Sequence, residues 1–162
     1  MARSNNPKKF LTAEEQEKIL TAIAQAENRT SGEIRLHVEG KCPTDVPLDH
    51  AKELFSKLEM DKTEQRNGVL IYLATASHRF AILGDEGIDR VVPDEFWGDV
   101  KDLMAARFQE GDFCAGLVEG IARVGEKLDE FFPWQTDDVN ELPDEISFGG
   151  GGSAEENPPD PG

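Results

Sequence analysis

The sequence predicts an α/β fold: a single domain in which a small mixed sheet is flanked by helices on both faces, as a three-layer α/β/α sandwich. Three observations lead to this prediction. The chain has 162 residues, enough for one ordinary domain but not for two. Helical and extended patterns follow one another in the order α-β-α-β-β-α-α. Strands joined through a helix should be parallel and strands joined by a short turn antiparallel, so the sheet should be mixed.

The first half of the chain contains a helix, a strand and a second helix. Thr12 and Glu15 form a capping box, and apolar residues then recur at helical spacing, so 12–28 should be a helix. Residues 33–39 alternate strictly between apolar and polar, which predicts a strand with one solvated face toward a sheet edge. Helical spacing returns in 48–60.

The second half contains a hairpin and two helices. Residues 68–75 are continuously apolar, as expected of a central strand that is covered on both faces. About three residues separate this strand from 79–84, so the two should form an antiparallel hairpin. Helices follow over 94–109 and 112–132, each with an aspartate as the expected N-cap. Two glycines inside the last helix predict a close approach of that helix to the sheet.

Composition divides the chain into four segments. We expect a flexible N-terminus over 1–9, a folded domain over 10–134, an acidic extension over 135–148 that docks in part, and a disordered Gly- and Pro-rich tail over 149–162. The stretch 135–162 holds eight acidic residues and no basic ones. It therefore supplies half of the net charge.

The chain as a whole is strongly acidic, with 33 acidic against 17 basic residues and a formal net charge of −16. Nucleic acids and anionic membranes bind basic surfaces, so we expect neither as a partner. The longest apolar stretch, 69–76, has eight residues and is interrupted by Thr75, far short of the ~20 that cross a bilayer, and no signal peptide is recognisable. We therefore expect a cytoplasmic monomer without membrane insertion. Cations, an unidentified basic protein and solubility remain as explanations of the charge.

The usual catalytic and metal-binding motifs are missing from the sequence. There is no phosphate-binding loop and no nucleophile elbow. The histidines His37, His50 and His78 are scattered and lack the spacing of metal ligands. Cys42 and Cys114 form no CxxC pair, and a disulfide is not implied.

Acidic residues should instead gather at one end of the sheet, where one loop leads into the central strand and another leaves the third strand. These residues are Asp61, Glu64, Asp85, Glu86, Asp89, Asp94 and Glu95. Calcium-like cations take six to eight oxygen ligands. Residues 85–89 supply carboxylates around a glycine but are not an EF-hand loop, so the neighbouring loop would have to contribute, with Asp61 as the natural donor. The alternative is that Asp85 and Asp89 cap a short helix and Asp61 caps a turn.

Several stretches together resemble the TPM domain family, and the match runs from about Leu11 to Trp134. The stretches are TSGEIRLHV at 30–38, NGVLIYL at 67–73, FAILGDEGI at 80–88 and FQEGDF at 108–113. Each is weak alone, but their order and spacing are specific. The chain is most similar to small soluble bacterial members, which share MDKT at 60–63, the Phe-Trp pair at 96–97 and NELPDE at 140–145.

This resemblance implies an α/β/α sandwich and binding of divalent cations, usually calcium, in loops at one end of the sheet. Carried over by position, the ligands would be Asp61, Asp85 and Asp89, with Glu86 and Asp112 as further candidates. The predicted topology, however, puts Asp112 at the other end of the sheet. Many members also read Gly-Tyr-Gly where this chain has Gly-Asp-Glu-Gly at 84–87, and many carry a signal peptide or transmembrane helix. The family includes a thylakoid-lumen protein with acid phosphatase activity and photosystem II repair factors.

Three functions are consistent with the sequence. The first is a module that binds divalent cations, with calcium implied by the resemblance, and serves interaction or regulation. The second is a metal-assisted acid phosphatase acting on phosphate monoesters, in which a divalent ion polarises a phosphoryl oxygen and Arg66 and Arg90 are the nearest phosphate-binding candidates. The third is a scaffold whose acidic tail contacts a basic protein.

Overall fold

A computed structural model describes residues 6–134 and 146–149. The helices are α1 (Pro7–Phe10), α2 (Ala13–Glu27), α3 (Pro47–Lys57), α4 (Glu86–Asp89), α5 (Phe96–Gln109) and α6 (Phe113–Phe131). The strands are β1 (Glu33–Glu39), β2 (Gly68–Ala74), β3 (Arg79–Gly84) and β4 (Ile146–Phe148), and a 3-10 turn spans Met60–Lys62. None of the helices in these two ranges is long and apolar enough to cross a membrane.

The four strands form one mixed sheet in the order β3-β2-β1-β4. β1 and β2 are parallel, with Glu33 opposite Gly68, and α3 connects them. β2 and β3 form the predicted antiparallel hairpin. β4 runs parallel to β1 on its other side.

Helices cover the sheet on both faces because the strands carry apolar side chains on both. Leu36 and Ile71 belong to the larger core, which α2, α5 and α6 complete. Leu70 and Tyr72 belong to the smaller core with α3. The α/β prediction is thus confirmed, with α3 as one outer layer and α2, α5 and α6 as the other.

The prediction that β1 has a solvated face near a sheet edge is wrong. All seven residues of β1 are buried, and the strand lies between β2 and β4. β4 comes from the extension that was expected to dock, although 135–145 lie outside the described residues. The three residues of β4 pair with the side of β1 that was predicted to lie toward a sheet edge.

The ends of the chain are described only in part. Asn6 caps α1 by accepting a hydrogen bond from the Lys8 amide, so the last residues of the expected flexible N-terminus form a helical turn. Of the expected disordered tail, only Gly149 lies within the described residues, and its amide donates to the Val38 carbonyl at 2.8 Å.

Two of the three predicted helix caps are present. The Thr12 hydroxyl accepts from the Glu15 amide at 3.1 Å, and the Glu15 carboxylate accepts from the Thr12 amide at 3.0 Å. Asp112 caps α6. The third prediction is wrong, because α5 begins after Glu95, whose side chain makes no capping bond.

The helix glycines have a different role from the predicted one. A Cβ on Gly120 would lie 2.5 Å from the Met104 sulfur, and one on Gly116 would lie 2.6 Å from the Phe108 ring. Met104 and Phe108 are on α5. The glycines therefore permit close packing of α6 against α5, a neighbouring helix, and not against the sheet.

Candidate functional site

Two loops that hydrogen-bond to each other form what we call the acidic end of the sheet, residues 60–67 and 84–89. The Gly87 amide donates to the Arg66 carbonyl at 2.8 Å, and the Asp85 amide donates to the Gly68 carbonyl at 2.9 Å. A Cβ on Gly87 would lie 2.1 Å from the Gln65 carbonyl oxygen. Only glycine therefore lets the two loops approach this closely.

Arg66 organises the carboxylates of the acidic end. Its guanidinium binds Asp85 through two bonds, Nε to Oδ2 at 2.8 Å and Nη2 to Oδ1 at 3.0 Å. Nη1 donates to Glu86 Oε2 at 3.3 Å. The Arg66 backbone has a φ of 53°, a left-handed conformation that is uncommon for a residue other than glycine. The hydrogen bonds to Asp85 also raise the Arg66 pKa above its ordinary value.

Three of the predicted cation ligands have partners within the protein. Asp85 Oδ1 accepts from the Glu86 amide at 2.8 Å and so caps α4, as the alternative interpretation anticipated. Glu86 also pairs with Arg90 at 3.6 Å. Asp89 does not act as a cap; its Oδ1 accepts from the Trp97 indole at 3.0 Å.

Two buried oxygens of the loop 60–67 lack such partners. Asp61 Oδ1 is buried and makes no hydrogen bond. Asn67 is 1% exposed, and its Oδ1 is likewise without a partner, whereas its Nδ2 donates to the Ser31 hydroxyl at 3.3 Å. Buried polar atoms are nearly always paired, so two unpaired oxygens on one loop are unusual. They are the oxygens of the acidic end that a ligand could bind without breaking a hydrogen bond. Asn67 was not a sequence candidate, although it directly precedes the central strand.

Asp112 is not brought together with the other candidates. Its Oδ1 accepts from the Ala115 amide at 3.2 Å as the cap of α6. The next residue, Phe113, stacks on Phe108 at 5.1 Å, and Phe108 contacts Phe80 at 4.8 Å. Phe80 lies near the start of β3 and Asp85 directly follows its end, so Asp112 is at the opposite end of the sheet.

Within 6–134 and 146–149, no group of three or more His, Cys, Asp or Glu residues is arranged to hold a metal ion. A cation at the acidic end would therefore draw on oxygens of other kinds as well, such as the Asn67 amide. It would also meet Arg66, which already neutralises Asp85 and Glu86.

A second polar group, which we call the Glu39 cluster, lies at the carboxyl end of β1 and comprises His37, Glu39, His50 and Tyr72. Tyr72 donates its hydroxyl to Glu39 Oε2 at 2.7 Å. His50 Nε2 lies 2.8 Å from the same oxygen, and His37 Nε2 lies 3.2 Å from Oε1. All four side chains are buried, so β1 carries an internal hydrogen-bond network where a solvated face was predicted.

His50 extends this network to a second glutamate, because its Nδ1 lies 3.1 Å from Glu53 Oε1. Burial alone would raise the Glu39 pKa, but hydrogen bonds from His37 and Tyr72 outweigh it and hold this pKa below its ordinary value. Burial raises the Tyr72 pKa well above its ordinary value, and the bond to Glu39 raises it further.

The Glu39 cluster corrects the interpretation of the histidines as scattered. His37 and Glu39 are two residues apart on one strand and therefore share a face, which the sequence could have indicated. His50 reaches the same carboxylate only because α3 packs against that face.

Comparisons with known proteins agree with this architecture. The sequence model of the TPM domain matches residues 4–127. The NMR structure of the BA42 protein from the psychrophilic bacterium Bizionia argentinensis is 46% identical in sequence, with a TM-score of 0.82, and the alignment covers 90% of this chain and 100% of that one. A search of curated proteins found no match. This chain belongs to the TPM domain family.

Proposed function

We propose that this TPM domain binds a divalent cation of the calcium class at the acidic end and serves as an interaction or regulatory module. The observation that carries the proposal is the pair of buried, unbonded oxygens on one loop, Asp61 Oδ1 and Asn67 Oδ1. A buried polar atom without a partner costs about 1–3 kcal/mol. A bound cation would remove that cost, and carboxylate and amide oxygens are the ligands that calcium prefers.

Arg66 makes the proposed binding a competition between two cations. Its side chain is 42% exposed, so it has a path into solvent once its bonds to Asp85 and Glu86 are broken. Once it leaves, the carboxylates of Asp85 and Glu86 become available as further ligands. A divalent ion must displace this intramolecular cation, so we expect weak affinity, in the range of about 0.1–1 mM known for low-affinity calcium modules.

The test is a calcium titration followed by backbone amide NMR and calorimetry. We expect saturable shifts confined to 60–67 and 84–89. Asp61→Asn should weaken binding at least about tenfold, because a charged ligand is lost. Arg66→Gln should strengthen binding, because the competing charge is removed. Asp112→Ser is the matched control: serine also caps helices, and the affinity should not change.

Two results would contradict the proposal. One is the absence of amide shifts in both loops at millimolar calcium. The other is an Asp61→Asn variant that binds calcium as tightly as the wild type while remaining folded by circular dichroism.

A metal-assisted phosphatase is the alternative, and the geometry gives it less support. The two guanidinium groups that could receive a phosphate, Arg66 and Arg90, both pair with carboxylates. Phosphate-ester turnover that depends on calcium or magnesium and is lost in Asp85→Asn would favour the phosphatase over the binding module.

A further inference from the structure

A cavity of about 280 Å³ opens beside the turn of the β2-β3 hairpin, at the other end of the sheet from the acidic end. The residues that line it range from buried to exposed. Phe10 and Leu73 are buried, whereas Phe80, Phe108 and Phe113 are half-buried. The cavity therefore leads from solvent into the apolar interior, and it leaves aromatic surface in contact with water that a ligand could cover.

Contacts among the rings hold the aromatic lining in place. Phe10 and Phe113 meet edge to face at 4.9 Å, as do Phe80 and Phe108 at 4.8 Å, and Phe108 stacks on Phe113 at 5.1 Å. The cavity is therefore preformed. An apolar cavity of about 150 Å³ holds a benzene molecule, so this one has room for a compound of two rings.

The interior of the cavity offers no partner to a charged ligand. Among the described residues that line it, only Arg79 carries a permanent charge, and its side chain lies on the other face of the sheet. Arg79 pairs with Ala74 of the smaller core, and its Nη1 donates to the Asp45 carbonyl oxygen near the start of α3. Phe80 instead pairs with Leu73 of the larger core. Burial of an unpaired charge is costly, so the cavity selects against ions.

Polar side chains lie at the mouth of the cavity, where His78 and Gln109 are exposed. They can exchange a hydrogen bond with one polar group of a ligand whose rings lie deeper. We propose that the cavity binds a small uncharged aromatic compound of about two rings, with a single hydroxyl or amide group at the mouth. Aromatic walls favour an aromatic ligand because edge-to-face and offset ring contacts add to the apolar burial. This site goes beyond the proposed cation site and uses none of its residues.

The first experiment is a titration of the full chain with 2-naphthol, followed by backbone amide NMR and calorimetry. We expect saturable shifts at 73–80 and 105–113 and none at 60–67. The acid 2-naphthoate has the same rings and should bind at least about tenfold more weakly, because its charge would be buried without a partner. The saturated alcohol 2-decalinol should bind about threefold more weakly than 2-naphthol, because the ring contacts are lost.

A pair of variants tests the position of the rings. Ala105 is half-buried on α5 and lines the cavity, whereas its neighbour Ala106 is exposed and does not. Ala105→Phe should fill the cavity and abolish 2-naphthol binding, and the matched control Ala106→Phe should bind as the wild type does. Circular dichroism establishes that each variant is folded.

Four results would overturn the proposal. They are the absence of saturable shifts with 2-naphthol, equal affinity of the wild type for 2-naphthol and 2-naphthoate, equal affinity for 2-naphthol and 2-decalinol, and normal binding by a folded Ala105→Phe variant. The comparisons among the three ligands use the unmodified chain, so they decide the question even where Ala105→Phe does not fold.

Discussion

Replacing Tyr72 by phenylalanine removes one hydroxyl from the centre of the Glu39 cluster and leaves the ring in place. Tyr72 is 0% exposed, and its hydroxyl lies 2.7 Å from Glu39 Oε2. The ring contact with His50, edge-on at 5.3 Å, should persist in the variant. A hydrogen bond to a charged group contributes about 1.5–3 kcal/mol. We therefore expect Tyr72→Phe to lower the free energy of unfolding by about 2 kcal/mol at neutral pH.

The dependence on pH distinguishes this bond from a general packing effect. The Glu39 pKa is lowered in the folded protein, so its contribution to stability is present above the unfolded-state pKa of about 4.3 and is lost as the pH falls through the folded-state pKa. Once Glu39 is protonated, the tyrosine bond is one between neutral groups, which contributes about 1 kcal/mol. The difference between wild type and variant should therefore shrink from about 2 to about 1 kcal/mol on acidification.

The assay is urea unfolding at neutral pH and at several values below about pH 4.5, followed by tryptophan fluorescence and circular dichroism. Glu53→Gln is the matched control, because Glu53 also contacts His50 but is 64% exposed. Exposed ion pairs contribute at most about 1 kcal/mol, so this control should cost less than Tyr72→Phe. A Tyr72→Phe cost below about 0.5 kcal/mol, or one that does not change with pH, would refute the assigned role of the hydroxyl.

Three further outcomes are expected. Tyr72 is the single tyrosine of the chain, and its raised pKa keeps the phenol protonated above pH 10, so the stability of the protein is lost as the pH rises from the unfolded-state pKa of about 10. Ultraviolet absorbance should therefore show phenolate only when the protein unfolds. Phenolate in the folded protein near pH 10 would contradict the burial of Tyr72. Gly87→Ala forces a Cβ against the Gln65 carbonyl and should destabilise the protein by about 2–3 kcal/mol in urea unfolding. The control Gly98→Ala, in open space on α5, should stabilise it by up to about 1 kcal/mol. Equal effects of the two variants on the free energy of unfolding would exclude the close approach of the loops. Thr12→Ala removes the capping box and should cost about 1 kcal/mol in thermal melting, and an unchanged melting temperature would show that the cap contributes nothing.

Local patterns were sufficient to predict most of the fold. The capping box of Thr12 and the apolar run of β2 act on residues close in sequence, and the structure confirms both elements. β4 has only three residues, which is too short for a recognisable alternation. From the sequence alone, Arg35 and His37 are predicted to lie on a solvated face, because Ser147, which contacts His37, comes from a distant segment.

For the candidate site too, the sequence predicted the positions of the loops but not the contacts of their side chains. The topology brought the two loops of the acidic end together, and the bond between the Gly87 amide and the Arg66 carbonyl confirms that they meet. Which oxygens remain free depends on side-chain geometry, because Arg66 pairs with Asp85 and leaves Asp61 Oδ1 unbonded. A sequence pattern does not contain that information.

The position of β4 has a consequence for anyone who shortens this chain. Ending it after Trp134 would retain all the described helices, but it would remove the strand that pairs with Leu36–Val38 and the hydroxyl of Ser147, which lies 2.7 Å from His37 Nδ1. The flank of β1 would then present unpaired amide and carbonyl groups, which are a template for a strand from another molecule. A shortened chain that dimerises would therefore report a newly created sheet edge, and its oligomeric state would not apply to the intact protein.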